Sequence, residues 1–167
     1  MAADITISIA SSVDAQAIAG VILEAFAPFE KFYTPGAFAA TTPAAAQIRE
    51  CFAEAGAIWV AWQDDRIVGT VSAVDEGERL YVRSMAVSPL AQGCGVGRRL
   101  LETVEKHAIE HGFSRLFLYT TPFLAGAIRL YELNGFVQSD AGDFFGTPLL
   151  AMEKWLEQRD QNADGKH

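Results

Sequence analysis

The sequence predicts one mixed α/β domain, in which an antiparallel meander of strands precedes a strand–helix–strand crossover. Short runs alternate apolar and polar residues as half-buried strands do, and longer runs place apolar residues at helical spacing. Glycine, proline and asparagine separate these runs. The 167 residues suffice for one core and are too few for two comfortable ones. We expect the domain to occupy residues 1–156 and the polar residues 157–167 to form a frayed tail.

The predicted elements follow the order β-α-α-β-β-β-α-β-α-β. Gln63-Asp64-Asp65 forms a hairpin turn between two strands, and Gly112 ends a helix as a C-cap does. An irregular aromatic segment follows the first helix. The predicted strands are Ile5–Ile9, Ala57–Trp62, Arg66–Val74, Arg79–Val87, Leu116–Tyr119 and Thr147–Trp155, with a further short strand near Phe136, and the predicted helices cover about 12–26, 43–55, 97–111 and Leu124–Leu133.

Composition and charge exclude several classes of function. The net charge of −8 disfavours a nucleic-acid partner, because phosphate contacts need clustered lysine and arginine. We recognise no signal segment at the start of the chain and no apolar run of transmembrane length. Cys51 and Cys94 form no metal-like pair, so we interpret them as free thiols in a reducing compartment. We therefore expect a cytoplasmic protein without a membrane partner.

Three alternating glycines, Gly93, Gly95 and Gly97, lie at a predicted strand-to-helix junction. The first turn of a helix offers unpaired N–H groups that suit phosphate oxygens, and glycine lets the backbone approach an anion closely. Arg98 and Arg99 face the unfavourable end of the helix dipole, a cost that a bound polyanion would reverse. The spacing fits neither the Walker motif nor the dinucleotide fingerprint. The sequence therefore predicts an anion site of another kind.

Two motifs in order resemble the GCN5-related N-acetyltransferase (GNAT) family. The first is Gln92-x-x-Gly95-x-Gly97 after the strand that ends in Met85-Ala86-Val87, and the second is the run AIRLYELNGF over residues 127–136. The resemblance extends from about Ile5 to Trp155. It implies the GNAT acyl-CoA N-acyltransferase fold, a central, mostly antiparallel, twisted sheet flanked by helices. It also implies direct acetyl transfer from acetyl-CoA to a primary amine of a small molecule or peptide.

The resemblance implies a role for each motif residue. The pantetheine arm would pair with the strand ending in Val87, and the Val87 N–H would polarise the thioester carbonyl. Tyr131 would protonate the leaving thiolate. The family's asparagine before the second motif is replaced by Leu124, with Thr120 and Thr121 as the nearest polar side chains. The implied cofactor contacts are Met85, Ala86, Val87, Gln92, Gly93, Cys94, Gly95, Val96, Gly97, Arg98, Thr121, Ala127 and Tyr131.

The general base is not identified by the resemblance, and several carboxylates compete for that role. We prefer Glu78, because it precedes the central strand near the expected cleft. The aromatic residues Phe26, Phe29, Phe32 and Tyr33 fall where the family folds a flap over the acceptor, so we predict that they contact an acceptor with apolar bulk. A core cluster is the alternative for these rings. The candidate bases are Glu24, Glu30, Glu76, Glu78 and Asp143.

Other interpretations remain open at this point. His107-x-x-Glu110-His111 matches a zinc-peptidase pattern, but no third ligand is evident, and we expect no metal site. A non-catalytic CoA-binding sensor or interaction module with the same fold is the alternative to an enzyme. Some relatives dimerise through their last strands, and the sequence does not decide whether this chain forms a homodimer.

Overall fold

Seven strands form one sheet in the order β1-β2-β3-β4-β5-β7-β6, and every neighbouring pair is antiparallel except β4 and β5. The computed structural model describes residues 4–54 and 56–157. The strands are β1 (Ile5–Ile9), β2 (Gly56–Gln63), β3 (Arg66–Glu76), β4 (Arg79–Val87), β5 (Arg115–Thr120), β6 (Val137–Phe144) and β7 (Thr147–Trp155), and the helices are α1 (Ala15–Phe26), α2 (Pro35–Thr41), α3 (Ala45–Cys51), α4 (Val96–Glu110) and α5 (Ala125–Leu133). The predicted mixed α/β fold is therefore confirmed.

The sheet separates two hydrophobic cores. On one face, α4 and α5 cover the first core, to which α4 contributes Val96, Leu100 and Val104 at helical spacing. On the other face, α1 and α3 cover the second core, with Ile18 and Ile22 from α1. Burial of these large side chains on both faces, each worth about 1.5–3 kcal/mol, holds the helices against the sheet. The two faces of β4 and β5 consequently have different neighbours.

The pairing of β4 and β5 stops after three residues, which opens the sheet. Their register runs from Arg79↔Arg115 to Tyr81↔Phe117. Within the described residues, no strand pairs with this side of β4 beyond Tyr81. A β-bulge follows, in which Ser84 and Met85 of β4 lie opposite the single residue Val71 of β3, and Ser84 has a φ of 54°. The two strands thus diverge and form a cleft between their carboxyl ends, which we call the β4–β5 cleft.

Several elements differ from their predicted bounds. The strand expected near Phe136 is the eight-residue β6, which the polar sequence concealed because this edge strand pairs with β7 alone. The irregular aromatic segment contains a 3₁₀ stretch, Ala27–Phe32, and the short helix α2. Helix α3 ends at Cys51, whereas we expected an end near Ala55, which lies outside the described residues. The predicted frayed tail also lies outside them beyond residue 157.

One expectation about membranes needs correction. The continuous helical segment Ser12–Phe32 has 21 residues and is long and apolar enough to cross a membrane by length and composition. We had expected no apolar run of transmembrane length in the sequence. In the structure, Ala15, Ile18, Val21 and Ile22 of this segment are buried in the second core. A core helix meets the same criterion, so the segment by itself is weak evidence for a membrane span.

Candidate active site

Aromatic rings close the β4–β5 cleft at the point where the pairing of the two strands ends. Tyr81 and Phe117, the last paired residues, stack with their ring centroids 4.8 Å apart, and Tyr119 meets Tyr81 edge to face at 5.7 Å. The Arg79 guanidinium lies 3.8 Å from the centre of the Phe117 ring. Burial raises the pKa of the Tyr81 phenol, which therefore stays protonated at neutral pH. These rings, with the Arg79 guanidinium on one of them, form the closed end of the cleft from which the two strands diverge.

The glycine loop lies at the open end of β4. Gly93 and Gly95 have φ angles of 82° and 78°, and a Cβ on either would meet no atom within 4 Å. The first helical hydrogen bond of α4 runs from the Arg99 N–H to Gly95 O at 3.1 Å. The N–H groups of Val96, Gly97 and Arg98 precede it and have no partner inside the helix. The Cys94 N–H donates to Ala91 O at 3.4 Å, so the start of α4 offers the unpaired N–H groups, and an anion site here stays a prediction.

Other residues of the loop have structural tasks. The Val96 side chain is buried, so only its backbone faces the loop. A Cβ on Gly97 would lie 2.8 Å from Leu130 Cδ2, so this glycine allows α4 to approach α5 closely. Arg98 pairs with Glu102 at 2.9 Å, and Arg99 donates to the backbone oxygen of Ile5. The two arginine side chains therefore have partners within the protein, although both remain exposed.

The end of β4 presents its residues alternately to the two cores. Met85 and Val87 pack against the first core, beside α4, whereas Ala86 is buried in the second core. The Gln92 side chain donates a hydrogen bond from Nε2 to Val87 O at 3.5 Å and joins the loop to the strand. The exposed edge of β4 thus leads directly from the cleft to the glycine loop.

Tyr131 projects from α5 toward the first core and is buried, with 7% of its surface exposed. Its ring lies 5.7 Å from that of Phe136, and Ala127, one turn earlier, packs partly against the same core. Burial raises the pKa of Tyr131 well above that of a free phenol, and the nearby Tyr33 adds to the shift. The hydroxyl therefore keeps its proton at every physiological pH and is available as a donor.

The segment 27–33, which we call the strap, carries aromatic side chains that converge on Phe123. The ring centroids of Phe29, Phe32 and Tyr33 lie 6.5, 5.3 and 4.8 Å from that of Phe123. Phe32 remains half exposed, whereas Tyr33 is buried. We did not predict Phe123, although its position three residues after the end of β5 was a usable signal. Three of the four predicted flap residues therefore meet in one cluster.

Phe26, the fourth predicted flap residue, differs from the other three. Its side chain packs partly against the second core at the end of α1. The strap is anchored at its other end, where the Thr34 N–H donates to Thr147 Oγ1 at 3.0 Å and Thr34 Oγ1 donates to Phe145 O at 2.6 Å. The strap is thus held between the core and the turn that joins β6 to β7.

Thr121 follows β5 and carries a hydroxyl that no hydrogen bond of normal geometry satisfies. Its Oγ1 is fully buried and has no partner within the described residues. Burial raises the pKa of the neighbouring Tyr33 phenol, and the Thr121 hydroxyl opposes that shift in part. An unpaired buried hydroxyl is costly. Thr121 therefore lies beside Tyr33 with its hydroxyl unsatisfied, and its contact with a cofactor stays a prediction.

The five candidate bases occupy very different places. Glu78 precedes β4 at its paired end and lies about 30 Å from Val87 along the strand, too far to serve the reacting centre. Glu76, at the same turn, pairs with Arg79 at 3.2 Å. The structure therefore does not bring Glu78, the base that we preferred, to the open end of β4, because β4 begins at the closed end of the cleft.

The remaining three candidate bases, Asp143, Glu30 and Glu24, differ in what their carboxylates contact. Asp143 accepts the Gly146 N–H at 2.9 Å within its own turn, and Glu30 is exposed on the strap. Glu24, near the end of α1, accepts a hydrogen bond from Ser88 Oγ at 3.2 Å. Ser88 follows Val87 directly. Of the five, Glu24 thus has the only carboxylate that contacts the open end of β4.

The histidine pattern on α4 has a structural use. The rings of His107 and His111 stack with centroids 4.0 Å apart, and His107 meets Trp59 edge to face at 5.0 Å. His111 Nδ1 lies at hydrogen-bond distance, 2.8 Å, from His107 O. Within residues 4–54 and 56–157, no group of three or more His, Cys, Asp or Glu side chains could hold a metal ion. The pair is best described as part of the packing between α4 and β2.

A splayed β4–β5 pair, an anion-receptive loop at its open end and a protonated phenol on α5 define the class of CoA-dependent acyltransferases. Residues 23–136 match the model of the acetyltransferase (GNAT) family, and the chain belongs to this family. It is 41% identical over 90 residues to an IAA acetyltransferase of Azospirillum brasilense, a match that covers 53% of this chain and 59% of the relative. It is 30% identical over 132 residues to the N-acetyltransferase YjgM of Escherichia coli, a match that covers 76% of this chain and 78% of that relative.

Solved structures share the fold. The ribosomal-protein-S18-alanine N-acetyltransferase of Escherichia coli matches with a TM-score of 0.77 and 20% identity, over 95% of this chain and 98% of that one. The acetyltransferase yncA of Salmonella typhimurium, solved with acetyl-CoA, matches with a TM-score of 0.74 and 22% identity, over 93% and 96%. PaiA of Thermoplasma acidophilum, solved with coenzyme A, matches with a TM-score of 0.73 and 19% identity, over 91% of this chain and 99% of that one. These likenesses confirm the family fold.

Proposed function

We propose that this protein transfers the acetyl group of acetyl-CoA directly to a primary amine of a small-molecule or peptide acceptor. The observation that carries the proposal is the position of the bare glycine loop at the open end of the β4–β5 cleft, on the same side of the sheet as Tyr131. The N–H groups from Gln92 to Arg98 would hold the pyrophosphate, and the free edge of β4 would pair with the pantetheine arm.

The reacting groups lie at the open end of β4. The Val87 N–H would polarise the thioester carbonyl, and Thr121 would contact the cofactor through its unpaired hydroxyl. Tyr131, held protonated by burial, would supply the proton that the departing sulfur needs. No covalent enzyme intermediate is required, because the acceptor amine is itself the nucleophile.

The acceptor that we propose has an apolar or aromatic body. The half-exposed Phe32 and its partners Phe29 and Phe123 present rings beside the cleft. The acidic chain, with a net charge of −8, favours a cationic acceptor and disfavours nucleic acid. Cys51 and Cys94 are unpaired in the structure, which supports our proposal of a reducing, cytoplasmic location.

The test combines ligand binding with turnover. Acetyl-CoA at a hundred times its dissociation constant should stabilise the fold by about 2.7 kcal/mol and raise the melting temperature by several degrees, whereas ATP and NAD should not. Release of free CoA should then follow addition of 2-phenylethylamine, and more weakly of ethylamine, which lacks the ring. Tyr131→Phe should keep the acetyl-CoA stabilisation and lower kcat by about 10²-fold. Stabilisation without release of CoA would favour the non-catalytic sensor instead.

A further inference from the structure

We infer that Glu24 is the general base that accepts the proton of the acceptor amine, an assignment that rests on the acetyl transfer proposed above. Its carboxylate accepts the Ser88 Oγ hydrogen bond at 3.2 Å. Ser88 is buried, so this contact fixes the carboxylate beside the residue that follows Val87. The two residues are 64 positions apart, and the contact joins the end of α1 to the end of β4.

The sheet places Glu24 opposite the proposed cofactor loop. Val87 packs toward α4, whereas Ala86 packs toward α1, and adjacent strand residues point to opposite faces. The Ser88 side chain accordingly meets Glu24 on the α1 face. An acetyl group at the edge of β4 would therefore have the glycine loop on one side and Glu24 on the other. The acceptor amine can approach from the Glu24 side without displacing the cofactor.

The end of α1 and the strap together connect Glu24 to the other wall of the cleft. Glu24 contacts Ser88 at the end of β4, and nine residues later Tyr33 packs on Phe123 after β5. Residues 24–33 thus bridge the open end of the cleft and carry aromatic rings together with two carboxylates, of which Glu24 alone contacts the end of β4. Among the described residues, no salt bridge engages Glu24. Its negative charge is therefore available to an ammonium group on an apolar body.

The proton balance gives each residue one task. The ammonium form of the acceptor transfers one proton to the Glu24 carboxylate, directly or through one water. The amine nitrogen then bonds to the acetyl carbon, the carbon–sulfur bond breaks, and the sulfur takes a proton from Tyr131. The second proton lost by the nitrogen restores Tyr131, and Glu24 returns its proton to solvent. One net proton is released for each acetyl group transferred.

The experiment compares Glu24→Gln with Glu50→Gln, a matched change of an exposed carboxylate on α3. With 2-phenylethylamine at pH 7, Glu24→Gln should lower kcat by about 10²-fold or more, and Glu50→Gln should leave it unchanged. The Glu24→Gln defect should shrink as pH rises toward the pKa of the amine, about 10, because the free amine then needs no base. Ser88→Ala should cost about tenfold in kcat, since Ser88 only positions the carboxylate.

Acetyl-CoA stabilisation, measured on every variant, separates the possible failures. Glu24→Gln that binds acetyl-CoA and turns over like the unchanged protein overturns the role of Glu24 and leaves the proposed function intact. An equal defect at all pH values also overturns it, because that result indicates a structural role. If the unchanged protein binds acetyl-CoA but acetylates neither probe amine, both the inference and direct transfer are overturned. Absence of acetyl-CoA stabilisation overturns the proposed cofactor site itself.

Discussion

Gly95 and Gly112 stand at opposite ends of α4 with the same φ of 78°, and a Cβ on either would meet no atom within 4 Å. Gly95 is the N-cap residue of α4 in the glycine loop, whereas Gly112 follows the last turn at the other end of the helix. The backbone strain of a side chain is therefore equal at the two positions, and only the proposed ligand distinguishes them. A comparison of substitutions at these two glycines therefore separates effects on the stability of α4 from effects on its proposed function.

Gly95→Ala and Gly112→Ala should each destabilise the protein by about 1–2 kcal/mol, because alanine adopts a left-handed conformation at that cost. Only Gly95→Ala should also reduce the stabilisation by acetyl-CoA, since its new methyl group occupies space beside the loop N–H groups. Thermal melts with and without acetyl-CoA measure both effects. Equal acetyl-CoA shifts in the two variants would contradict a pyrophosphate site at this loop.

Gly97→Ala tests the close contact between α4 and α5. The added methyl group would lie 2.8 Å from Leu130 Cδ2 and 3.3 Å from Met85 Cε, so both side-chain ends must move. We expect a loss of about 1 kcal/mol, at the lower end of the range for overpacking, because these atoms terminate flexible side chains. Gly126→Ala, on α5 with open space around it, is the control and should be neutral or slightly stabilising. Denaturant unfolding measures both, and an unaffected Gly97→Ala would show that the packing relaxes.

Thr121→Val should stabilise the ligand-free protein by about 1 kcal/mol, because it removes a buried hydroxyl that lacks a hydrogen bond. Thr147→Val is the matched control, since it deletes a buried hydroxyl that accepts the Thr34 N–H at 3.0 Å. That variant should lose about 1–2 kcal/mol. Thr121→Val should also weaken the acetyl-CoA stabilisation. A destabilised Thr121→Val would mean that Oγ1 has a partner in solution.

His107 should make stability depend on pH below neutrality. Burial lowers its pKa below the ordinary value of 6.5, and the neighbouring His111 adds to the shift. As pH falls through about 6.5, the unfolded chain takes up a proton that the folded His107 refuses, so the free energy of unfolding decreases. The decrease ends once the pH is below the folded pKa.

Chemical denaturation at pH 5.5 and 7.5 measures this dependence. His107→Gln should show a smaller loss of stability at the lower pH than the unchanged protein. His111→Gln should keep part of the loss, because burial, the larger cause, remains at His107. An unchanged pH dependence in His107→Gln would assign the effect to other groups.

Local periodicity was sufficient for most elements. The alternation in β1 and the apolar stripe of α4 predicted these elements almost to the residue, because each buries one regular face. The glycine loop was equally predictable from the sequence, because positive φ angles and unpaired N–H groups at a helix start are local properties of the backbone. β6 was underestimated because it is an edge strand with an exposed, polar sequence, and edge strands carry little periodic signal.

The position of the proposed base depended on long-range geometry. Glu78 was attractive because it adjoins the central strand, but strand direction places it at the closed end of the cleft. The proposed role of Glu24 rests on its hydrogen bond with Ser88, which is 64 positions away in the sequence. This contact depends on where α1 packs along β4. The cleft itself follows from a pairing of β4 and β5 that stops after Tyr81 and Phe117. Residue type and local spacing suffice for helices, strands and the glycine loop, whereas the contacts between separate elements depend on packing energies summed over the whole sheet.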